Sequence, residues 1–146
     1  MSYVVKKIIL LFVIIVSCNG CKKQNPVADD LLNAKWILSS VQDTKTDAIT
    51  HFPGDATKSI AIVFSNSSDL LSFTGLCNNG SGSYSYSSTT GEIKITNLIT
   101  TLIWCKYVEW ETYTVQNLNY ATSFRITGNY LVIYSEGVYD LYFTRM

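Results

Sequence analysis

Apolar and polar residues alternate along most of this chain, and the points where the alternation breaks mark its elements. Lys35 to Val41 predicts a first strand with Trp36 and Leu38 on one face. Residues 43–57 are polar, contain His51-Phe52-Pro53-Gly54-Asp55, and read as a loop. Ile60, Ile62 and Phe64 then alternate with Ala61, Val63 and Ser65, the period of two that a strand requires. Asn66 to Asp69 predicts a turn, and Leu70 to Thr74 the returning strand. Tyr84 and Tyr86 alternate with serines, and after a turn at Thr90-Gly91, Ile93 and Ile95 alternate with Glu92, Lys94 and Thr96. From Lys106 to Ala121 the period changes: Trp110, Thr114, Leu118 and Ala121 fall at spacings of four, four and three, predicting the one helix. Beyond Ser123 the strand pattern resumes as a three-stranded meander, with turns at Gly128-Asn129 and Glu136-Gly137. The order is strands, one helix, strands, with no internal repeat.

The opening segment follows a different rule. Lys6-Lys7 precedes an apolar run from Ile8 to Val16, then Ser17 and Cys18, the layout of a secretory signal peptide. Nine apolar residues are too few to cross a bilayer core, which takes about 20. Ile15-Val16-Ser17-Cys18 resembles the lipobox of bacterial lipoproteins, so residues 1–17 are expected to be removed and Cys18 to receive the lipid. Cys21 is the less favoured site, because Cys18 stands at its −3 position where Leu or Ile is usual. Residues 18–30, polar and interrupted by Pro26, read as a tether, and residues 31–146 as the folded domain. The protein is expected in the cell envelope, held to the outer membrane by its lipid.

Composition agrees with the strand pattern. Ten tyrosines, six phenylalanines and three tryptophans are a heavy aromatic load, and aromatics favour pleated, half-buried surfaces. Removing 17 of 146 residues leaves 129, enough for one domain and too few for two. Losing Lys6 and Lys7 leaves nine basic against 11 acidic side chains, a net charge of −2. So mild a charge gives no argument for nucleic acid as a partner, and a monomer is expected.

Cys77 and Cys105 are the two cysteines of the domain. An isolated pair in an oxidising envelope points to a disulfide. Closing a loop of about 29 residues would stabilise the fold by roughly 3.5 kcal/mol in the chain-entropy model. The alternative, a catalytic thiol, needs a base, and His51 is the one histidine of the chain, far off in sequence.

The cysteines sit within two longer patterns. Cys77-Asn78-Asn79-Gly80-Ser81-Gly82-Ser83-Tyr84 resembles the C-N-x-x-x-G-x-Y signature of the META domain, an HslJ-like family, and Thr100-Thr101-Leu102-Ile103-Trp104-Cys105 resembles its second signature. The resemblance spans about residues 31–146 and extends to Trp36, to the acidic segment with Glu109 and Glu111, and to Leu141-Tyr142-Phe143. Two positions depart from the family pattern. Leu76 stands where glycine usually precedes the first cysteine, with Gly75 one residue earlier, and Ile103-Trp104 replaces Met-Ala before the second. The resemblance implies a mostly β (α+β) fold, a small barrel-like antiparallel sheet with one helix packed against it. It also implies an envelope protein linked to stress or antibiotic tolerance, without enzymatic activity.

Residue chemistry gives no catalytic, cofactor or metal site. There is no C-x-x-C, no H-E-x-x-H and no Gly-rich phosphate loop ahead of a helix. Glu109 and Glu111, at i and i+2, point to different faces of the predicted helix and read as solvated surface, so alanine at His51, Glu109 or Glu111 is expected to leave function nearly intact. The candidate binding surface comprises Asn78 and Asn79, in a polar loop that also reads as a hairpin or bulge, with Trp104, Tyr107 and Trp110 at the strand-to-helix junction and Tyr84 beside them. The expected function is a lipid-anchored binding or structural factor, its partner being an envelope protein, peptide or glycan. The alternative is a lipocalin-like carrier of a small apolar ligand.

Overall fold

A computed structural model describes residues 31–53 and 58–146. The expected signal peptide, Cys18, Cys21 and the expected tether lie outside the described residues, as do residues 54–57 of the expected loop. Among the described residues, nine strands form one antiparallel sheet: β1 (Lys35–Asp43), β2 (Ile49–His51), β3 (Ala61–Ser65), β4 (Leu70–Thr74), β5 (Asn79–Tyr86), β6 (Ile93–Thr100), β7 (Ala121–Thr127), β8 (Tyr130–Ser135) and β9 (Tyr139–Arg145). The helix α1 (Val108–Asn119) lies between β6 and β7 in sequence. Along the sheet the order is β6-β5-β4-β3-β1-β9-β8-β7, with β2 added beside β1. Among the described residues, the expected mostly β fold with one helix packed against the sheet is thus observed, as a curled half-barrel.

Curling brings the two ends of this path together. Glu92 and Ser123 form an isolated bridge, and the Phe124 N–H donates to the Gly91 carbonyl at 2.8 Å. Aromatic rings reinforce the approach. Phe64, Tyr84, Tyr86 and Phe124 contact one another in series, with centroids 5.0, 6.1 and 6.2 Å apart. The concave face is filled rather than hollow: Trp36, Phe64, Phe73 and Phe143 are fully buried there, with Leu71, Leu131, Ile133 and Leu141. The Trp36 Nε1–H donates to the Leu31 carbonyl at 3.1 Å, and the Arg145 guanidinium lies 4.9 Å from its ring centroid.

Two expectations about elements need correction. The segment 43–57 contains a short strand, β2, paired to β1 through Ser40–His51, Val41–Thr50 and Gln42–Ile49, which places His51 exposed on an added strand. The helix is shorter than 106–121. Tyr107 takes a left-handed conformation (φ 68°) that ends any helical path before Val108, and Ala121 already pairs within β7. The apolar stripe nevertheless holds, since Trp110, Thr114, Leu118 and Ala121 are all buried. The hairpin or bulge expected at 78–83 is observed, with most of this polar segment forming part of β5. Its register with β6 shifts between Ser81 and Ser83, and a Cβ on Gly82 would lie 2.9 Å from the Leu98 Cα. The bulge therefore brings the two backbones close enough to require glycine.

Tyr84, set within β5, gives the fold a test in alkali. Its hydroxyl donates to the Ser65 carbonyl at 2.9 Å, and burial, helped by Tyr86 and Asp69, pushes its pKa up to about 12 from 10.0. Above pH 10 the unfolded chain releases this proton while the folded chain keeps it. Stability present below pH 10 is therefore lost as pH rises toward 12, by on the order of 2 kcal/mol. Unfolding measured between pH 9 and 12 should show this fall, and Tyr84→Phe should flatten it.

A braced apolar loop as the candidate functional site

Two connections meet at one end of the sheet: the β4–β5 turn, carrying Cys77 and Asn78, and the β6–α1 loop, running from Thr101 to Tyr107. The Sγ atoms of Cys77 and Cys105 lie 2.12 Å apart, at disulfide distance. Asn78 occupies the centre and is only 5 % exposed. Its Oδ1 accepts from the Thr101 hydroxyl at 2.8 Å and the Ile103 N–H at 2.7 Å, and its Nδ2 donates to the Ile103 carbonyl at 2.9 Å and to Glu111 Oε2 at 2.6 Å. One side-chain amide thus holds both polar backbone groups of Ile103 and ties the loop to the helix.

Glu111 completes the brace. It is 3 % exposed, which corrects the expectation of a solvated helix surface. Its Oε1 accepts from the Cys77 N–H at 2.7 Å and the Asn78 N–H at 3.4 Å. Three N–H donors converging on one carboxyl compensate the loss of water that burial imposes. The close fit also accounts for the departure at Leu76. A Cβ on Gly75 would sit 2.5 Å from Glu111 Oε1, so this carboxyl needs a glycine at 75, not at 76. No periodicity signals this role, because Glu111 serves residues 33 and 34 positions away. The available hint is the asparagine of the first signature, since a buried amide must find several partners.

The cysteine sulfurs and a Glu111 oxygen lie within 4.8 Å of one another, a grouping with metal-ligand identities. Sulfurs joined to each other offer no thiolate, and the carboxyl already accepts three N–H groups, so the cluster acts as a brace.

What it braces is apolar. Leu102 is 97 % exposed, Ile103 57 % and Trp104 85 %, with Ile99 exposed just before them. Behind the loop lies a cleft of about 340 Å³, walled by Leu102, Ile103 and Trp104 on one side and by Val108, Thr112, Val115 and Gln116 of α1 on the other. The six residues of the expected binding surface therefore separate. Trp104 and Asn79 are exposed and Tyr107 is half-buried, with Lys106 Nζ 4.6 Å from its ring centroid. Asn78, Tyr84 and Trp110 are buried and cannot serve as surface. Asn78 is consumed by the brace, Tyr84 by the aromatic series, and Trp110 by an edge contact with Phe52 at 5.4 Å. Leu102 and Ile103, the most prominent members of the loop with Trp104, are not in that expected set.

Fold and site together define a small antiparallel half-barrel whose two connecting loops are stapled to the helix α1. The META domain family model matches residues 29–146, and the chain belongs to that family. No curated protein matches it. Among solved structures, it is similar to a protein from Burkholderia xenovorans determined by NMR, at 19 % identity and a TM-score of 0.67, covering 84 % of this chain and 88 % of that one. It is also similar to a DUF4847 family protein from Bacteroides vulgatus ATCC 8482, at 13 % identity and a TM-score of 0.62, covering 81 % and 96 %. At these identities the likeness speaks for the fold.

Proposed function

We propose that this protein is a lipid-anchored, non-catalytic component of the bacterial cell envelope, acting as a binding or structural factor in envelope stress or antibiotic tolerance. The observation that carries binding is the braced loop. A disulfide-distance cysteine pair, a buried amide and a buried carboxyl hold Leu102, Ile103 and Trp104 out in solvent, where large apolar side chains gain nothing for folding. The non-catalytic reading is supported by what the polar groups at the site do, since each is engaged in holding the loop. The anchor is supported by Ile15-Val16-Ser17-Cys18.

Two measurements test this reading. The mature N-terminus should be acylated Cys18, seen by mass spectrometry of membrane-extracted protein, and an unmodified N-terminus at any other residue defeats the anchor. A photo-crosslinking side chain at position 104 should capture an envelope component in intact cells, and silence there defeats the loop as a binding surface. The carrier alternative draws on the apolar cleft, which is within the size range of small-ligand sites. The filled concave face speaks against a ligand inside the half-barrel. Native mass spectrometry separates the two, because co-purified lipid favours the carrier.

A further inference from the structure

We propose that Leu102, Ile103 and Trp104 form a membrane finger that dips into the interfacial layer of a phospholipid bilayer. The inference rests on the lipid-anchored reading above and names the occupant of its binding surface. Shape is the first argument. Leu102 and Trp104 stand out from the surface, and so convex an apolar tip fits a deformable apolar phase better than a preformed protein pocket. Composition is the second. Tryptophan prefers the boundary between headgroups and acyl chains, where an apolar ring and an N–H are both accommodated.

Charge is the third argument. Lys106, the basic residue nearest the tip in sequence, is exposed two positions beyond Trp104. That sign suits an anionic headgroup layer. The acids nearest in sequence are Glu109, exposed on the first turn of α1, and Glu111, which is buried beneath the loop and faces its N–H donors.

Reach is the fourth. The chain enters the domain at Leu32, which pairs with Phe64 beside the β3–β4 turn, whereas the finger lies at the opposite end of β4. β4 is five residues long, about 17 Å. The stretch from Cys18 to Leu31 can span at most about 45 Å. The lipid on Cys18 and the finger can therefore enter the same bilayer, and the anchor keeps the finger at a high effective concentration beside it.

The test uses the full mature protein reconstituted in vesicles of phosphatidylethanolamine and phosphatidylglycerol whose acyl chains carry bromine at a shallow position. Trp36 and Trp110 are buried, so Trp104 supplies the quenchable signal, and Trp104→Phe provides the blank. The expected result is a blue-shifted, quenched Trp104. Leu102→Asp should lower the inserted fraction about tenfold, and Leu102→Phe should keep it. Neither touches the core, and an unchanged Tm shows that the fold is intact. An acylated protein that stays on the vesicles with Trp104 unquenched overturns the finger and leaves the anchor standing. A protein that proves not to be acylated fails the anchor instead, and the same vesicles then decide the finger. Quenching that depends on Leu102 supports it, and none overturns it. Crosslinking of position 104 to a protein, without quenching, overturns it in favour of a protein partner.

Discussion

Asn78→Ala should destabilise the domain by about 3 kcal/mol, lowering the Tm by roughly 10 °C, although it removes a small side chain from near the surface. The size follows from what is left behind. Glu111 Oε2 loses a donor while remaining buried, and Ile103 loses the partners of both its N–H and its carbonyl. A buried polar group left unpaired costs about 1–3 kcal/mol. Asn78→Asp should be worse, because it replaces a donor facing a carboxyl with a second carboxyl. Thermal unfolding of the oxidised protein, with the Cys77–Cys105 link verified by non-reducing peptide mapping, measures both. An unchanged Tm in Asn78→Ala would show that the cysteine pair alone holds the loop.

Trp36→Ala should cost about 3–5 kcal/mol, the range for removing a buried aromatic side chain. Trp36 lies fully buried near the centre of the sheet, on a strand flanked by β3 and β9. Its Nε1–H holds Leu31 and its ring lies beneath Arg145, so truncation loosens both the entry of the chain and the end of β9. Against a total of roughly 5–15 kcal/mol the loss is large, and denaturant unfolding should show a lower midpoint with little folded protein recovered from cells. Trp36→Phe should lose much less.

Together these expectations show where periodicity was informative. Strands came through because a two-residue repeat is local: Ile93 and Ile95, or Leu131 and Ile133, announce their face within a few positions. The helical stripe of Trp110, Thr114 and Leu118 was legible for the same reason. Glu111 was not. Reading charges at i and i+2 as facing solvent treats a helix as a cylinder touching the core along one line, yet α1 also touches the 77–78 turn along a second. β2 escaped notice because three residues, with Ile49 the one apolar side chain among them, carry too little pattern. The exposed loop was legible in part: Trp104 stood in the expected surface, whereas Leu102 and Ile103 did not, because nothing local shows that a brace holds them in solvent.

The central position of β9 has a consequence for how this chain acquires its structure. β1 pairs with β9 from Trp36–Arg145 to Asp43–Tyr139, joining segments about a hundred residues apart, and β9 also carries β8. Until residues 139–145 are available, β1 and β8 each present a bare edge, and the sheet is two fragments. Contacts so distant in sequence place folding in the slow range, on the order of milliseconds to seconds. A nascent chain therefore stays open, with unpaired strands exposed to mispairing, until almost the whole domain has been made.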